Sequence, residues 1–349
     1  MQRQASVCRA LKSFLLFLAL SLIVVAVAQD KQKRIGEIDF YGYAGLDLDK
    51  IRVALPLHEG DAFSDESPDA LFDAISGVSR AVKQTTGRAP TDVAPVCCDS
   101  RGDYMIYVGL PGKSVRTVVF NPTPKGNLRL PPEVMSLYDQ TMEASSAAVK
   151  KGLAHEDDSK GYALSTTDAT LRAKQLATRA YALSHKCLIR RVLESSVHAQ
   201  QRIAAAHFWG YARQSKEQIA ALVRASRDAD DIVRNNAIRA LGVLAQSNPK
   251  VATRIPAAGF IEMLSSGSWT DRNKAGWLLD TLTTRRAPKL LGLLRSQALE
   301  SLIEMARWRS TGHAYHARVL LGRIAGIEET RLQRLVETGQ VDQIIEALK

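Results

Sequence analysis

Residues Gly109 to Ser114 read G-L-P-G-K-S, a glycine-rich run ending in Lys-Ser that could cradle a phosphate. That chemistry needs a glycine five positions before Gly112, where Tyr107 stands, and a helix behind the loop. Val115 to Phe120 is instead rich in β-formers and predicts a further strand, so nucleotide binding is not expected. His58-Glu59 would open a zinc-protease helix only with histidine at position 62, which is Ala62. His313 and His316 share one side of a helix and could ligate a metal, but a third ligand is needed and the nearest acids, Glu304 and Glu328, lie on other segments. The run His155-Glu156-Asp157-Asp158 could attract a cation and reads as a solvated charged loop. Cys187 beside Lys186 could carry a lowered pKa, although its place in a helical pattern predicts a core thiol. No G-x-S-x-G nucleophile elbow occurs. The expectation is therefore no catalytic residue, no cofactor and no metal.

The first 28 residues supply the compartment. Arg3, Arg9 and Lys12 form a basic start, Ser13 to Val27 is an almost unbroken apolar run, and Ala26-Val27-Ala28 is a small-x-small cleavage site. This predicts a secretory signal removed after Ala28 and a periplasmic or secreted mature chain with no transmembrane segment. The alternative, an uncleaved N-terminal membrane anchor, would need about 20 apolar residues, more than the run offers. Cys97, Cys98 and Cys187 remain after cleavage, too few for a disulfide scaffold, and adjacent cysteines bridge only with strain, so buried free thiols are expected.

Charge divides the chain. The whole carries a formal net charge of +11, but residues 29–159 hold 15 basic and 20 acidic side chains, against 29 and 16 from Lys160 onward. A basic carboxyl half suggests a protein partner, an anionic surface or an acidic polymer, unless its arginines serve neighbouring acids inside the fold. Export makes nucleic acid an improbable partner.

The two halves also differ in pattern. Lys33 to Tyr41 alternates as a half-buried strand, Leu46 to Leu57 carries mixed helical spacing, and Pro68 to Thr86 is a helix with Leu71, Phe72, Ile75, Val78 and Val82 on one face. Thr91 to Cys98 and Tyr104 to Leu110 are strands joined by a glycine-containing turn. This order, with R-I-G-E-I-D-F-Y-G-Y, K-I-R-V-A-L-P and E-G-D-A-F, resembles the polypeptide-transport-associated (POTRA) domain of bacterial envelope proteins. The resemblance implies a small α/β module over residues 33–120 that makes protein contacts through a sheet edge. Asn121 to Pro132 holds four prolines and a glycine and reads as a linker.

From residue 133 the pattern is helical. R-x-x-A-x-x-x-L-G recurs in varied form at Arg202, at Arg234, at Arg272 and at Ala314, the first step being 32 residues and the next 38. Repetition at that period predicts a solenoid in which each helix pair buries its apolar face against its neighbours. D-A-D-D-I-V-R-N-N-A-I-R-A-L-G-V-L, starting at Asp228, resembles a HEAT-type repeat. The expected fold is thus α+β and multidomain, a POTRA-like domain followed by an all-α HEAT-like solenoid over residues 133–349, with Glu328 to Lys349 as a terminal cap. Asn236, Arg239, Asn273, Lys274, Arg307 and Arg309 are the candidate partner-binding residues, being of types enriched at interfaces. Arg234 and Arg272 are expected to tie repeats together through acids such as Asp230 or Asp271, with Trp269, Trp277 and Trp308 in the core. The function these features imply is an exported scaffold or adaptor. Alternatives are a lyase-type or accessory enzyme, since some HEAT-like proteins attach pigments to proteins, and a structural envelope component.

Overall fold

The structure, a computed structural model, describes residues 33–63, 68–99 and 101–349; the signal-like segment lies outside the described residues. Strand β1 (Lys33–Tyr41) leads through α1 (Leu48–Ala54), the short β2 (Ala62–Phe63) and α2 (Pro68–Thr86) to β3 (Asp92–Cys97) and β4 (Tyr104–Gly109). The predicted order of strand, helix, helix, strand, strand is present. Its sheet runs β2-β1-β4-β3, with β1 parallel to β4 and both β1–β2 and β3–β4 antiparallel. Ile35, Ile38, Phe40, Ile106 and Val108 pack under Ile51, Val78 and Val82, which closes a small core of its own. Phe72, expected on that face of α2, is exposed.

Cys97 and Cys98 are joined in a disulfide, and Cys187 is exposed. Both observations correct the expectation of buried free thiols. The adjacent pair stands at the end of an edge strand, and Cys187 lies on the outer face of its helix opposite the buried Ile189 and Val192.

Every element from Arg202 to Gly322 is helical. Helices α3 (Pro132–Lys150) and α4 (Ala169–Ser184), joined by a loop with the two-residue strands β5 (Glu156–Asp157) and β6 (Leu164–Ser165), precede four helix pairs. These are α5 (Lys186–Ser195) with α6 (Ala199–Gly210), α7 (Lys216–Ala225) with α8 (Asp231–Ser247), α10 (Ala258–Met263) with α11 (Trp269–Thr283), and α12 (Pro288–Ala306) with α13 (Thr311–Ile324). The short α9 (Pro249–Ala252) lengthens the second link, and α14 (Glu329–Glu337) and α15 (Val341–Glu346) close the end. The second helices α6, α8, α11 and α13 pack in a row, and α5 meets α7 as α10 meets α12 behind them. Two layers stacked by neighbour-only contacts make a helical-repeat solenoid. On α4 the buried stripe is Leu171, Gln175, Thr178 and Ala182, while Leu176 and Leu183 face outward. Gln175 earns its buried place by accepting from Ser165 N and donating to Glu156 Oε1, so it pins the loop.

Candidate functional site

The motif arginine of each of the first three repeats reaches back into the turn before its helix and forward to the next repeat. Arg202 donates to Ser196 O and Val197 O and pairs two-pronged with Asp228, Nε–Oδ2 and Nη2–Oδ1 both at 2.8 Å. Arg234 holds Asp228 O and Ala229 O in the same way and pairs with Asp271 at 2.7 and 3.0 Å. Arg272 holds Ser266 O and meets Glu304 at 3.3 Å. All six side chains are buried. The stacking role expected of Arg234 and Arg272 is therefore what these contacts perform. Asp230 instead caps α8, accepting from Ile232 N and Val233 N.

This row of turns forms one edge of the array, and the amino half of the chain lies along it. At the fourth turn the Glu304 carboxylate, 2% exposed, accepts from three consecutive amides, Gly42 N at 2.7 Å, Tyr43 N at 2.9 Å and Ala44 N at 3.0 Å, and from Ser114 Oγ at 2.6 Å. Gly42 has φ +72°, and a β-carbon there would stand 2.4 Å from Leu110 O, so only glycine lets the amides converge. Trp308 Nε1 donates to Phe40 O, and Tyr41 lies over the Arg272 guanidinium. Tyr107 stacks on Trp269, and its hydroxyl bonds His313 Nδ1 at 2.6 Å. The G-L-P-G-K-S backbone is consumed here as well: Gly112 N donates to Gly42 O and Lys113 N to Ala44 O.

Past Ser114 the chain forms neither the expected strand nor a free linker. It is an extended strap that descends the turns in reverse order. Arg116 N donates to Ser265 O at 2.8 Å, Asn121 N to Arg227 O at 2.6 Å, and Gly126 N to Ser195 O at 2.8 Å. Phe120 covers the Arg234 guanidinium at 3.8 Å, and Leu130 N donates to Gln201 Oε1. Prolines and alternating polar residues gave the segment its linker-like composition; the repeating turn carbonyls give it a track.

The candidate partner residues fall into three places. Arg309 is held within the chain by Asp39, Glu59 and Ile38 O. Glu59 is kept below the usual carboxylate range chiefly by that arginine. Arg307 is exposed and 3.7 Å from Asp342. Asn236, Arg239, Asn273 and Lys274 sit on the row of second helices beneath the loop between α3 and α4. Arg239 pairs there with Glu156, and Asn236 Nδ2 donates to Ile203 O. Within the run His155 to Asp158, Glu156 is thus an internal clamp, while His155 and Asp157 are exposed as in a solvated loop. Asn273 and Lys274 have no hydrogen-bond or ion-pair partner among the described residues. His313 and His316 turn to different neighbours, Tyr107 and Asp280.

No family model and no curated protein matches the chain. Among solved structures it is similar to a designed armadillo repeat protein in complex with the peptide (KR)4, at 15% identity over 61% of this chain and 90% of that one, with a TM-score of 0.37. A computationally designed armadillo repeat protein for modular peptide recognition matches at 15% identity with the same coverage and a TM-score of 0.35.

Electrostatics around the second-helix row are set by burial. The Lys274 ammonium is lowered to about 8, first by desolvation and then by Arg239, with Glu156 opposing. At pH 8 Lys274 is therefore expected to react with an amine-selective acylating reagent ahead of the surface lysines. Peptide mapping of a time course checks this, and labelling no faster than that of Lys289 would contradict it. His207 falls to about 3 through burial and then Arg239, and His313 to about 4 through burial and then Lys274 and His316. Both folded values lie below the roughly 6.5 of an unfolded imidazole. The unfolded chain thus binds protons first, so stability is intact above about pH 6.5 and is lost as pH falls toward the folded values. The melting temperature should drop between those limits, and His207→Phe should flatten part of the drop.

Sequence reasoning missed Glu304, Gly42, Ser114 and the turn carbonyls. The arginine-to-acid offsets are 26, 37 and 32 residues, so no fixed spacing announces the acids.

Proposed function

We propose that this chain is an exported, non-enzymatic scaffold whose helical-repeat array holds polypeptide. One observation carries the reading: the array already holds an extended polypeptide, the strap past Ser114, on main-chain hydrogen bonds from Arg116, Asn121 and Gly126 to successive turns. The strand-helix-helix-strand-strand module supports a POTRA-like role in protein contact, with β3 as a terminal strand of its sheet. The Cys97–Cys98 disulfide and the signal-like start support an oxidising compartment. The charge asymmetry found in the sequence is answered in part within the chain, since Glu304, Arg309 and Arg239 each join the two halves. Of the six candidate residues, Asn273 and Lys274 are the ones left without a partner among the described residues and so open to an acidic partner.

Crosslinking in whole cells followed by mass spectrometry tests this. A polypeptide partner, lost on Lys274→Met and Asn273→Ala, is the expected result. Recovery of the mature chain with no protein partner, or its retention in the cytosol, would overturn the scaffold or the export half of the reading.

A further inference from the structure

The three strap rungs match the array in a way that their side chains do not explain. Arg116, Asn121 and Gly126 are five residues apart, and their acceptors Ser265, Arg227 and Ser195 each stand seven residues before a motif arginine, Arg272, Arg234 and Arg202. The acceptors are prepared by the array. Each arginine takes the carbonyl immediately after the rung, Ser266 O, Asp228 O and Ser196 O, and so fixes the turn while leaving the preceding carbonyl to the strap. Because Asp228, Asp271 and Glu304 neutralise these arginines, the edge asks for N–H donors and not for acids.

Polar contacts carry most of the grip: Val197 N donates to Gly126 O at 2.6 Å, Asn121 Nδ2 to Arg224 O at 3.1 Å, and His198 Nε2 lies 2.7 Å from Asn127 Oδ1. Arg116, Thr117, Asn121, Pro122, Thr123 and Lys125 are exposed, and Val119 is 81% exposed. Two clefts of about 430 Å³ flank its upper part, one walled by Thr91, Phe120 and Ser268, the other by Ser265, Arg295 and Ser301. Apolar anchoring is confined to residues such as Phe120, Leu128 and Leu130.

We infer that the turn edge is a binding site for an extended polypeptide from another molecule, which replaces residues 112–130 rung by rung. This deepens the scaffold reading and rests on it. Recognition runs through the main chain, so it tolerates many sequences, with two demands. The fourth residue after the first rung is a flat aromatic that covers Arg234, as Phe120 does. The tenth is glycine, because a β-carbon at Gly126 would stand 2.6 Å from Ser195 O.

The test uses the full chain and a fluorescent synthetic peptide of residues 112–130, followed by anisotropy. A strap linked in cis competes at an effective concentration of about 1 mM, so for a site of Kd about 10 µM wild type should bind the peptide about 100-fold more weakly than Asn121→Pro/Gly126→Ala, whose second rung loses its donor and whose third is blocked by the added β-carbon. A peptide carrying proline at 116 and 121 and alanine at 126 should bind the released variant at least about tenfold more weakly, since the first two N–H donors are gone and a β-carbon at 126 would stand 2.6 Å from Ser195 O. A released variant with an unchanged circular dichroism spectrum that binds no peptide would overturn the inference, as would equal binding of both peptides. Should that variant not fold, hydrogen exchange in wild type with the peptide at about 1 mM decides. Lost protection at the amides of 116, 121 and 126 supports exchange, and unchanged protection refutes it. Neither result moves the crosslinks at Asn273 and Lys274, so failure here is distinct from failure of the scaffold reading.

Discussion

Glu304→Ala is expected to cost about 3–5 kcal/mol, because it leaves the buried Arg272 uncompensated. It also strands the amides of Gly42, Tyr43 and Ala44 and the Ser114 hydroxyl without their shared acceptor. The loss should be localised. The β1–β4 module has its own core of Ile35, Ile38, Ile51, Val78 and Val82, and the array has its own apolar row, so the junction should open before either part melts. Limited proteolysis should then cut within residues 112–130 at a temperature where the helices remain folded, while Glu304→Gln, which keeps the shape and one acceptor oxygen, should show a smaller effect. A melting curve and cleavage pattern like wild type for Glu304→Ala would mean that this carboxylate does not join the halves.

Arg234→Ala should be nearly as damaging, about 3–5 kcal/mol, since Asp271 would be left buried without its counter-charge. Arg234 is 4% exposed and Asp271 1%, so water cannot substitute. Asp228 O and Ala229 O lose their donor, and Phe120 loses the cation beneath its ring. Replacing both partners, Arg234→Met with Asp271→Leu, should recover part of the loss, because no lone charge remains in the interior. Urea unfolding of the two single variants and the double variant measures the coupling. Additive losses would show that the pair is not a unit.

How much of this was legible before the fold is seen depends on whether a residue's role is periodic. The arginine repeat gave away the array, since a helix pair must meet its neighbour at a regular step, and alternation in Lys33 to Tyr41 gave away β1. The strap was not legible, because prolines and polar residues compose a free linker and a bound one alike; what binds it is the carbonyl of Ser195, Arg227 and Ser265, and main-chain acceptors leave no mark in side-chain types. Glu304 was read only as a distant acid beside two histidines. Its partners are amides of a glycine turn 260 to 262 residues away, a pairing that no local pattern encodes. The basic candidates were legible as residue types, but not the intrachain pairs they make: Arg309 and Arg239 answer Glu59 and Glu156 of the same chain.

The central claim is that residues 112–130 are bound along the turns and do not hang between two independent parts. Native-state hydrogen exchange at single-amide resolution measures it directly. The amides of Arg116, Asn121 and Gly126 are predicted to be protected while that of Thr117, which donates to no acceptor among the described residues, exchanges fast. Exchange of all four at the rate of an unstructured peptide would contradict the account.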